Sequence, residues 1–564
     1  MRGLWMMTGL ALLVGLVSGL MAAGLRMGVQ TLFGALEALR STLWGLLLPA
    51  AGALAGVWIV RLLFREPGGH GVPAVLESVS RKGGSMRRRS IISRLLGSLV
   101  HVAGGGSAGL EGPIAFSAAA VGSSLAPPLK LAERQRILLV ACGVAGGIGA
   151  IFNAPLTGLI FATEVVLAEW SLAAVIPIAV SATTATELGR LLLGGAVPLT
   201  RPTLPIEIHD LAACALLGAL AGLLSVLLVR AVRGVEQVAN GLRKRGLTRR
   251  MGIVAALAGL GVGALGWFFP GAIGEGYDTL RFALEDPLRE GLLVGFLLLA
   301  AKFLATALSL GSGAPGGIFA PALVVGALFG RLFGETLGVV LPQVSFAPAG
   351  SFALVGMAGL VAGTMQAPFT GIFLVLETTS GWELTLPLML VSVLGVLVAR
   401  NFQRHSFYTW ELVESGRLLR PGTDRRILAD LQVGENLDGE TMEIETGRTL
   451  EDLVRRLPFT RRNHFAVVEP GSRRYLGMID IAGLRAFLFD PELRRATLVE
   501  TVMETTLPWV APGQSLLETL ELFESSGAWV LPVVREGVFE GTLSKATLFD
   551  RYRSELAVQT SEMT

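Results

Sequence analysis

Long apolar runs dominate the first 410 residues, among them Leu4–Leu25, Leu292–Leu310 (broken by Lys302) and Phe352–Leu376. Such runs match the roughly 20 residues that a helix needs to cross a hydrocarbon core. After about Trp410 the pattern changes. Charges become frequent, and an amphipathic helical stretch is followed by β-rich alternation, twice over. The first copy runs from Leu450 through Phe465–Val468 and Gly477–Ile479 to Phe487; the second runs from Leu516 through Trp529–Val534 and Gly541–Leu543 to Tyr552. The pattern predicts an α-helical polytopic membrane domain over 1–410, a linker over 411–429, and two α/β units over 430–492 and 498–556.

Composition supports this division. The chain has 564 residues, 52% hydrophobic and only 16% charged, whereas a water-facing surface carries about 25–35% charge. From Ser78 to Ala132 the only acid is Glu111. The basic residues cluster at the ends of apolar runs, as Arg81-Lys82 with Arg87-Arg88-Arg89 and as Arg243-Lys244-Arg245 with Arg249-Arg250. That is the positive-inside arrangement of cytoplasmic loops, so the pI near 9.1 is topological and names no nucleic-acid partner. The first apolar run is longer than the 7–15 residues of a signal peptide core, and the expectation is that it is not cleaved. Cys142 and Cys214 both sit in apolar segments, and the five histidines have no ligand spacing. No disulfide, metal or cofactor is expected, and no nucleophile–base pair suggests an enzyme.

An internal repeat organises the membrane part. Gly143-Val-Ala-Gly-Gly-Ile-Gly-Ala-Ile-Phe-Asn-Ala-Pro-Leu-Thr-Gly158 recurs 213 residues later as Gly356-Met-Ala-Gly-Leu-Val-Ala-Gly-Thr-Met-Gln-Ala-Pro-Phe-Thr-Gly371, and each copy continues to an acid, Glu164 and Glu377. A second pair, Gly106-Ser107 and Gly311-Ser312, recurs at a similar offset. Two homologous halves follow, at about 35–200 and 209–400. Broken helices at matching places in two halves point to a binding site near the bilayer midplane.

Three Gly/Pro segments could build that site: Gly69-His70-Gly71-Val72-Pro73, Gly109-Leu110-Glu111-Gly112-Pro113, and Gly316-Gly317-Ile318-Phe319-Ala320-Pro321. In each, glycine frees the backbone and proline stands where a helix can start. A helix start offers unpaired N–H groups and the positive end of the dipole, which suits an anion. Gly311-Ser-Gly313-Ala-Pro-Gly316 also matches the dinucleotide glycine pattern, but an apolar span precedes it and no βαβ unit follows.

The three segments in this order, with the Ala-Pro-x-Thr-Gly repeats and the tail, resemble the chloride channel (CLC) family of anion channels and anion/proton exchangers. The resemblance covers the whole chain. It implies two inverted repeats of tilted and broken helices, a homodimer in a lipid bilayer, chloride as the transported ligand, and tandem CBS domains in the cytoplasm. It implies that Gly317, Ile318 and Phe319 present backbone to a central chloride, that Tyr408 supplies a hydroxyl, and that Glu111 is a gate. Ionising a lone carboxylate at membrane depth costs about 2.5–3.5 kcal/mol on insertion scales. Helix starts that attract chloride would attract the carboxylate as a rival ligand, which ties conduction to protonation.

Some positions depart from the family's pattern. His70 stands where serine is usual, either as a hydrogen-bond donor to chloride or as a polar turn residue off the path. Leu110 replaces a common basic residue. Proton-coupled members carry two adjoining acids after the first Ala-Pro-x-Thr-Gly, whereas Ala162-Thr163-Glu164-Val165 keeps Glu164 and puts Val165 at the second. Valine cannot relay a proton, so a passive channel is expected over a chloride/proton exchanger; a membrane sensor acting through the tail is a third reading. In nucleotide-binding CBS domains a Ser or Thr contacts phosphate and an Asp three residues on holds ribose. Thr542 and Ser544 fit the first role, but Thr547 and Gly483 occupy the Asp positions, so the tail is expected to pack or regulate a dimer more than to bind adenine nucleotide.

Overall fold

Proline or a left-handed residue marks several of the helix ends in the first part of the chain. The structure is a computed structural model that describes residues 2–194, 208–244, 252–284, 291–415, 428–429 and 431–561. The chain divides into two compact units, Met1–Leu418 and Leu419–Thr564. The basic residues Arg245, Arg249 and Arg250, and most of the expected linker with Arg417–Arg426, lie outside the described residues.

The first unit is helical. Its main helices are α1 (Arg2–Ala35), α2 (Leu48–Trp58), α3 (Gly71–Arg81), α4 (Ser90–Ala103), α5 (Glu111–Leu125), α6 (Glu133–Phe152), α7 (Pro155–Phe161) and α8 (Leu172–Leu193), then α9 (Ile208–Lys244), α10 (Ile253–Phe268), α11 (Tyr277–Leu284), α12 (Gly291–Gly311), α13 (Phe319–Val340), α14 (Ala349–Met365), α15 (Pro368–Thr379) and α16 (Thr385–Phe402). Among the described residues, eight helical stretches are long and apolar enough to cross a membrane. The expected polytopic fold is therefore present. Helices α3 and α5 have 11 and 15 residues, about 16 and 22 Å at 1.5 Å per residue. Both are too short to span a hydrocarbon core of about 30 Å.

Packing repeats between the halves, element for element. Helix α1 lies along α8 and α6 as α9 lies along α16 and α14; α5 packs on α6 as α13 does on α14; α3 meets α5 as α11 meets α13. Helix α1 is thus the counterpart of α9, and the first half includes it. The boundary near residue 35 left it out because α1 and α9 share an apolar helix but no motif. The Asn/Gln-Ala-Pro repeat is a helix stop followed by a restart. Asn153 and Gln366 end α6 and α14 in the left-handed conformation, at φ 58° and 53°, a C-terminal role that asparagine often takes. Pro155 and Pro368 then open α7 and α15.

The two halves meet at a pair of glycines. Gly109 N–H donates to the Gly317 carbonyl and Gly317 N–H to the Gly109 carbonyl, each at 2.8 Å. This antiparallel bridge sets the start of α5 beside the start of α13. It requires bare backbone, since a methyl group on Gly317 would lie 2.9 Å from the Gly112 nitrogen and 3.4 Å from the Glu111 carboxylate.

The second unit has β1 (Glu443–Glu445), β2 (His464–Val468) and β3 (Tyr475–Asp480) in one sheet, with β1 parallel and β3 antiparallel to β2, and β4 (Val530–Arg535) paired antiparallel with β5 (Val538–Ser544). This α/β architecture fits a small CBS-like domain. The second copy closes with a 17-residue helix, Lys545–Ser561. In the first, the expected second helix is short: a 3-10 turn over Ile481–Leu484 runs into an α-helical turn over Arg485–Leu488, and a further helix covers Pro491–Ala496.

Gly317→Ala is expected to lower the unfolding temperature of the purified protein by several degrees, because Gly112 is backbone and cannot yield. Gly338→Ala, near the other end of α13 with nothing within 4 Å of the new methyl, should leave it unchanged or raise it slightly.

Candidate anion site

Glu111 begins α5, is 1% exposed, and folds back over Gly109. A methyl group on Gly109 would lie 1.9 Å from Glu111 Oε2. Neither carboxylate oxygen has a hydrogen-bond partner, although the Ala320 amide at the start of α13 faces it. The amides of Ile318 and Phe319 open that same helix, where no intrahelical carbonyl is available to them, and both residues are fully buried. Gly317 joins them through the bridge.

Aromatic rings connect these residues. Phe319 lies 4.9 Å from Phe152 and 6.0 Å from Phe161, and Phe161 meets the Tyr408 ring edge-on at 6.1 Å. Phe407 contacts Tyr408 at 5.7 Å and the His70 imidazole at 4.8 Å. The Phe407 amide donates to the Thr364 carbonyl at 3.1 Å, which fixes this segment on the end of α14. His70 caps α3 with extended backbone, and its Nδ1 is buried without a partner. Helix α3 in turn starts against α5, because a methyl group on Gly71 would lie 2.2 Å from the Gly112 carbonyl oxygen. The structure thus brings Glu111, Gly317, Ile318, Phe319, Tyr408 and His70 into one connected region.

Glu164 and Val165 lie elsewhere, on a widened helical turn over Ala162–Leu167. Glu164 accepts from the Phe369 and Thr370 amides and the Thr370 hydroxyl at 3.1, 2.8 and 2.7 Å. Glu377 accepts from the Leu156 and Thr157 amides and the Thr157 hydroxyl at 2.9, 2.7 and 2.7 Å. Each acid therefore caps the restarted helix of the other half. This explains the motif: proline starts the helix, threonine supplies a third donor, and the acid closing one copy binds the other. Val165 is half-buried and packs on the main core.

Thr542 and Ser544 are also bonded internally. Their hydroxyls donate to Asp438 at 2.8 Å each, and Thr547 donates to the same carboxylate. Arg462 lies 3.9 Å away, and the Asp438 side chain is 1% exposed. A carboxylate has about four acceptor positions, and these hydroxyls with the Ser544 amide at 3.4 Å fill them.

Sequence reasoning missed a second polar group near Glu111. Lys302 is fully buried and donates to the Ala272 and Gly274 carbonyls at 3.3 and 2.9 Å. The Gly274 amide donates to Gly105 at 3.2 Å, just before the second Gly/Pro segment. Glu275, Arg26 and Tyr277 complete the group, all within electrostatic reach of Glu111 or of one another. The one signal available was a lysine inside an apolar run.

Glu164→Gln and Glu377→Gln should each destabilise the protein by about 1.5–3 kcal/mol, the range for hydrogen bonds to a charged group, read from thermal unfolding in detergent. An unchanged midpoint for Glu164→Gln with altered transport would show that capping is not its main role.

The chain is similar to known proteins in both sequence and fold. Residues 51–400 match the family model described as voltage gated chloride channel. The chain is 33% identical over 404 residues to the H(+)/Cl(-) exchange transporter ClcA of Vibrio vulnificus, covering 69% of this chain and 86% of that protein. It is 33% identical over 382 residues to a putative chloride channel protein, ClcB-like, of Ralstonia nicotianae, covering 66% and 86%. Among solved structures, a slow cyanobacterial Cl-/H+ antiporter shares the fold at TM-score 0.65 and 23% identity over 72% of this chain and 97% of that one. A eukaryotic CLC transporter does so at TM-score 0.63 and 20% identity over 96% and 97%. The chain belongs to the voltage gated chloride channel (CLC) family of multi-pass ion transporters.

Proposed function

We propose that this protein conducts chloride passively across the cell membrane as a homodimer, gated by Glu111, with its tail in the cytoplasm. The observation that carries the passive reading is the engagement of Glu164. Three donors of the other half occupy its carboxylate, and its neighbour Val165 has no ionisable group. No free acid stands where proton-coupled members hand protons inward. Chloride would sit against the Ile318 and Phe319 amides and the Tyr408 hydroxyl, and Glu111, lacking hydrogen bonds of its own, would compete for the same amides. In the tail, Asp438 takes the donors that a nucleotide phosphate would need, which favours a packing role over adenine nucleotide binding.

A second reading is chloride/proton exchange. Relatives at 33% identity carry that name, and Glu275 provides an acid near Glu111 that does not depend on position 165. The two readings separate in proteoliposomes. Under a chloride gradient with no pH gradient, the passive reading expects chloride flux without proton movement. Uphill proton movement driven by chloride would overturn it in favour of exchange. Glu111→Gln, which keeps the shape and removes the charge, should abolish the pH dependence of flux; an unaltered pH profile would remove Glu111 from the gate.

A further inference from the structure

Helix α4 carries none of the three Gly/Pro segments, yet one of its buried side chains grips the first of them and another grips the residue just before the third. Arg94, 4% exposed, donates through Nη1 to the Gly69 carbonyl and through Nη2 to the Pro67 carbonyl, the latter at 3.3 Å. Its guanidinium lies over the Phe116 ring, 4.5 Å from the centroid. His101, 1% exposed, has Nδ1 2.9 Å from the Pro315 carbonyl oxygen. A carbonyl only accepts, so that nitrogen carries the hydrogen. Seven residues separate the two side chains, two turns on one helical face. Between them, Gly97 lets the loop approach, since a methyl group there would lie 3.2 Å from Pro315 Cγ. Gly106 makes room for the imidazole, because a methyl group there would lie 2.1 Å from Nε2.

The peptide bond is planar and trans, so a carbonyl and the amide that follows it point in opposite directions. Holding the Gly69 oxygen toward α4 turns the His70 amide away from α4. Holding the Pro315 oxygen does the same for the Gly316 amide, one residue before the bridge. We propose that Arg94 and His101 are positioning residues: they draw the Gly69 and Pro315 carbonyl oxygens back onto α4, so that the His70 and Gly316 amides are turned toward the anion path. This rests on the anion-transport reading above and adds what orients its backbone donors. A carbonyl turned into the path would repel chloride, so loss of a tether weakens anion binding even where the fold survives.

His101 gives the cleaner test, since the substitutions add no charge. In proteoliposomes of the full-length protein, His101→Leu should raise the chloride concentration for half-maximal flux about tenfold, while His101→Gln, which retains a donor, should restore it to within about threefold of wild type. Arg94→Lys keeps the charge but loses the planar fork, and should raise it as well. A purely structural role would lower the unfolding temperature for Leu and Gln alike and leave the half-maximal concentration unmoved, and that result overturns the proposal. If the wild type carries no chloride, the transport reading fails by itself. Amide hydrogen exchange over residues 316–319 then decides the tether independently. At least tenfold faster exchange in His101→Leu than in His101→Gln supports it, and equal exchange overturns it.

Discussion

Two glycines exchanging both of their backbone hydrogen bonds hold the centre of this molecule. The Gly109–Gly317 bridge joins the first half to the second where each has interrupted a helix, and it makes the starts of α5 and α13 neighbours. Helix starts leave amides without intrahelical partners, and inside a membrane such groups must be satisfied by protein, water or ligand. Bringing them together concentrates that need in one place. The bridge tolerates no side chain at Gly317, so the third segment's glycines are a packing requirement before they are a binding one.

The same requirement is met differently elsewhere. Helices α7 and α15 also restart at proline, and their first-turn amides are closed by Glu377 and Glu164, each from the opposite half. The molecule thus contains helix starts sealed by carboxylates alongside helix starts that are not. On the proposed reading the unsealed ones serve chloride, and Glu111 is a carboxylate placed to seal them only part of the time. That contrast accounts for two acids with full sets of hydrogen bonds and a third with none. It also turns the question of proton coupling away from Glu164 and toward Glu275, Tyr277 and their cationic neighbours.

Much of this was legible in the residues. The repeated Ala-Pro-x-Thr-Gly and the three Gly/Pro segments identified the halves, the interrupted helices and the residues that gather at the centre, because backbone breaks demand particular residue types. Partnerships between distant side chains were not legible. Glu164 read as the acid that closes one repeat copy, and nothing in its surroundings along the chain announces that Thr370 of the other copy will bind it. The start of the first half was misplaced because α1 is defined by packing and carries no motif. Lys302 stood out only as an interruption of an apolar run, Arg94 and His101 carried no signal, and the carbonyl partners of all three appear only on folding. Asp438 likewise gave no sign that it would occupy the hydroxyls of Thr542 and Ser544.

The account turns on whether an anion sits at the start of α13 in competition with Glu111. Anomalous diffraction from crystals grown in bromide tests this directly. The account predicts a bromide peak within hydrogen-bonding reach of the Ile318 and Phe319 amides and the Tyr408 hydroxyl, and a second peak in Glu111→Ala where the carboxylate had been. Bromide absent from the start of α13 in both proteins, or an unchanged pattern on removal of the carboxylate, would contradict it.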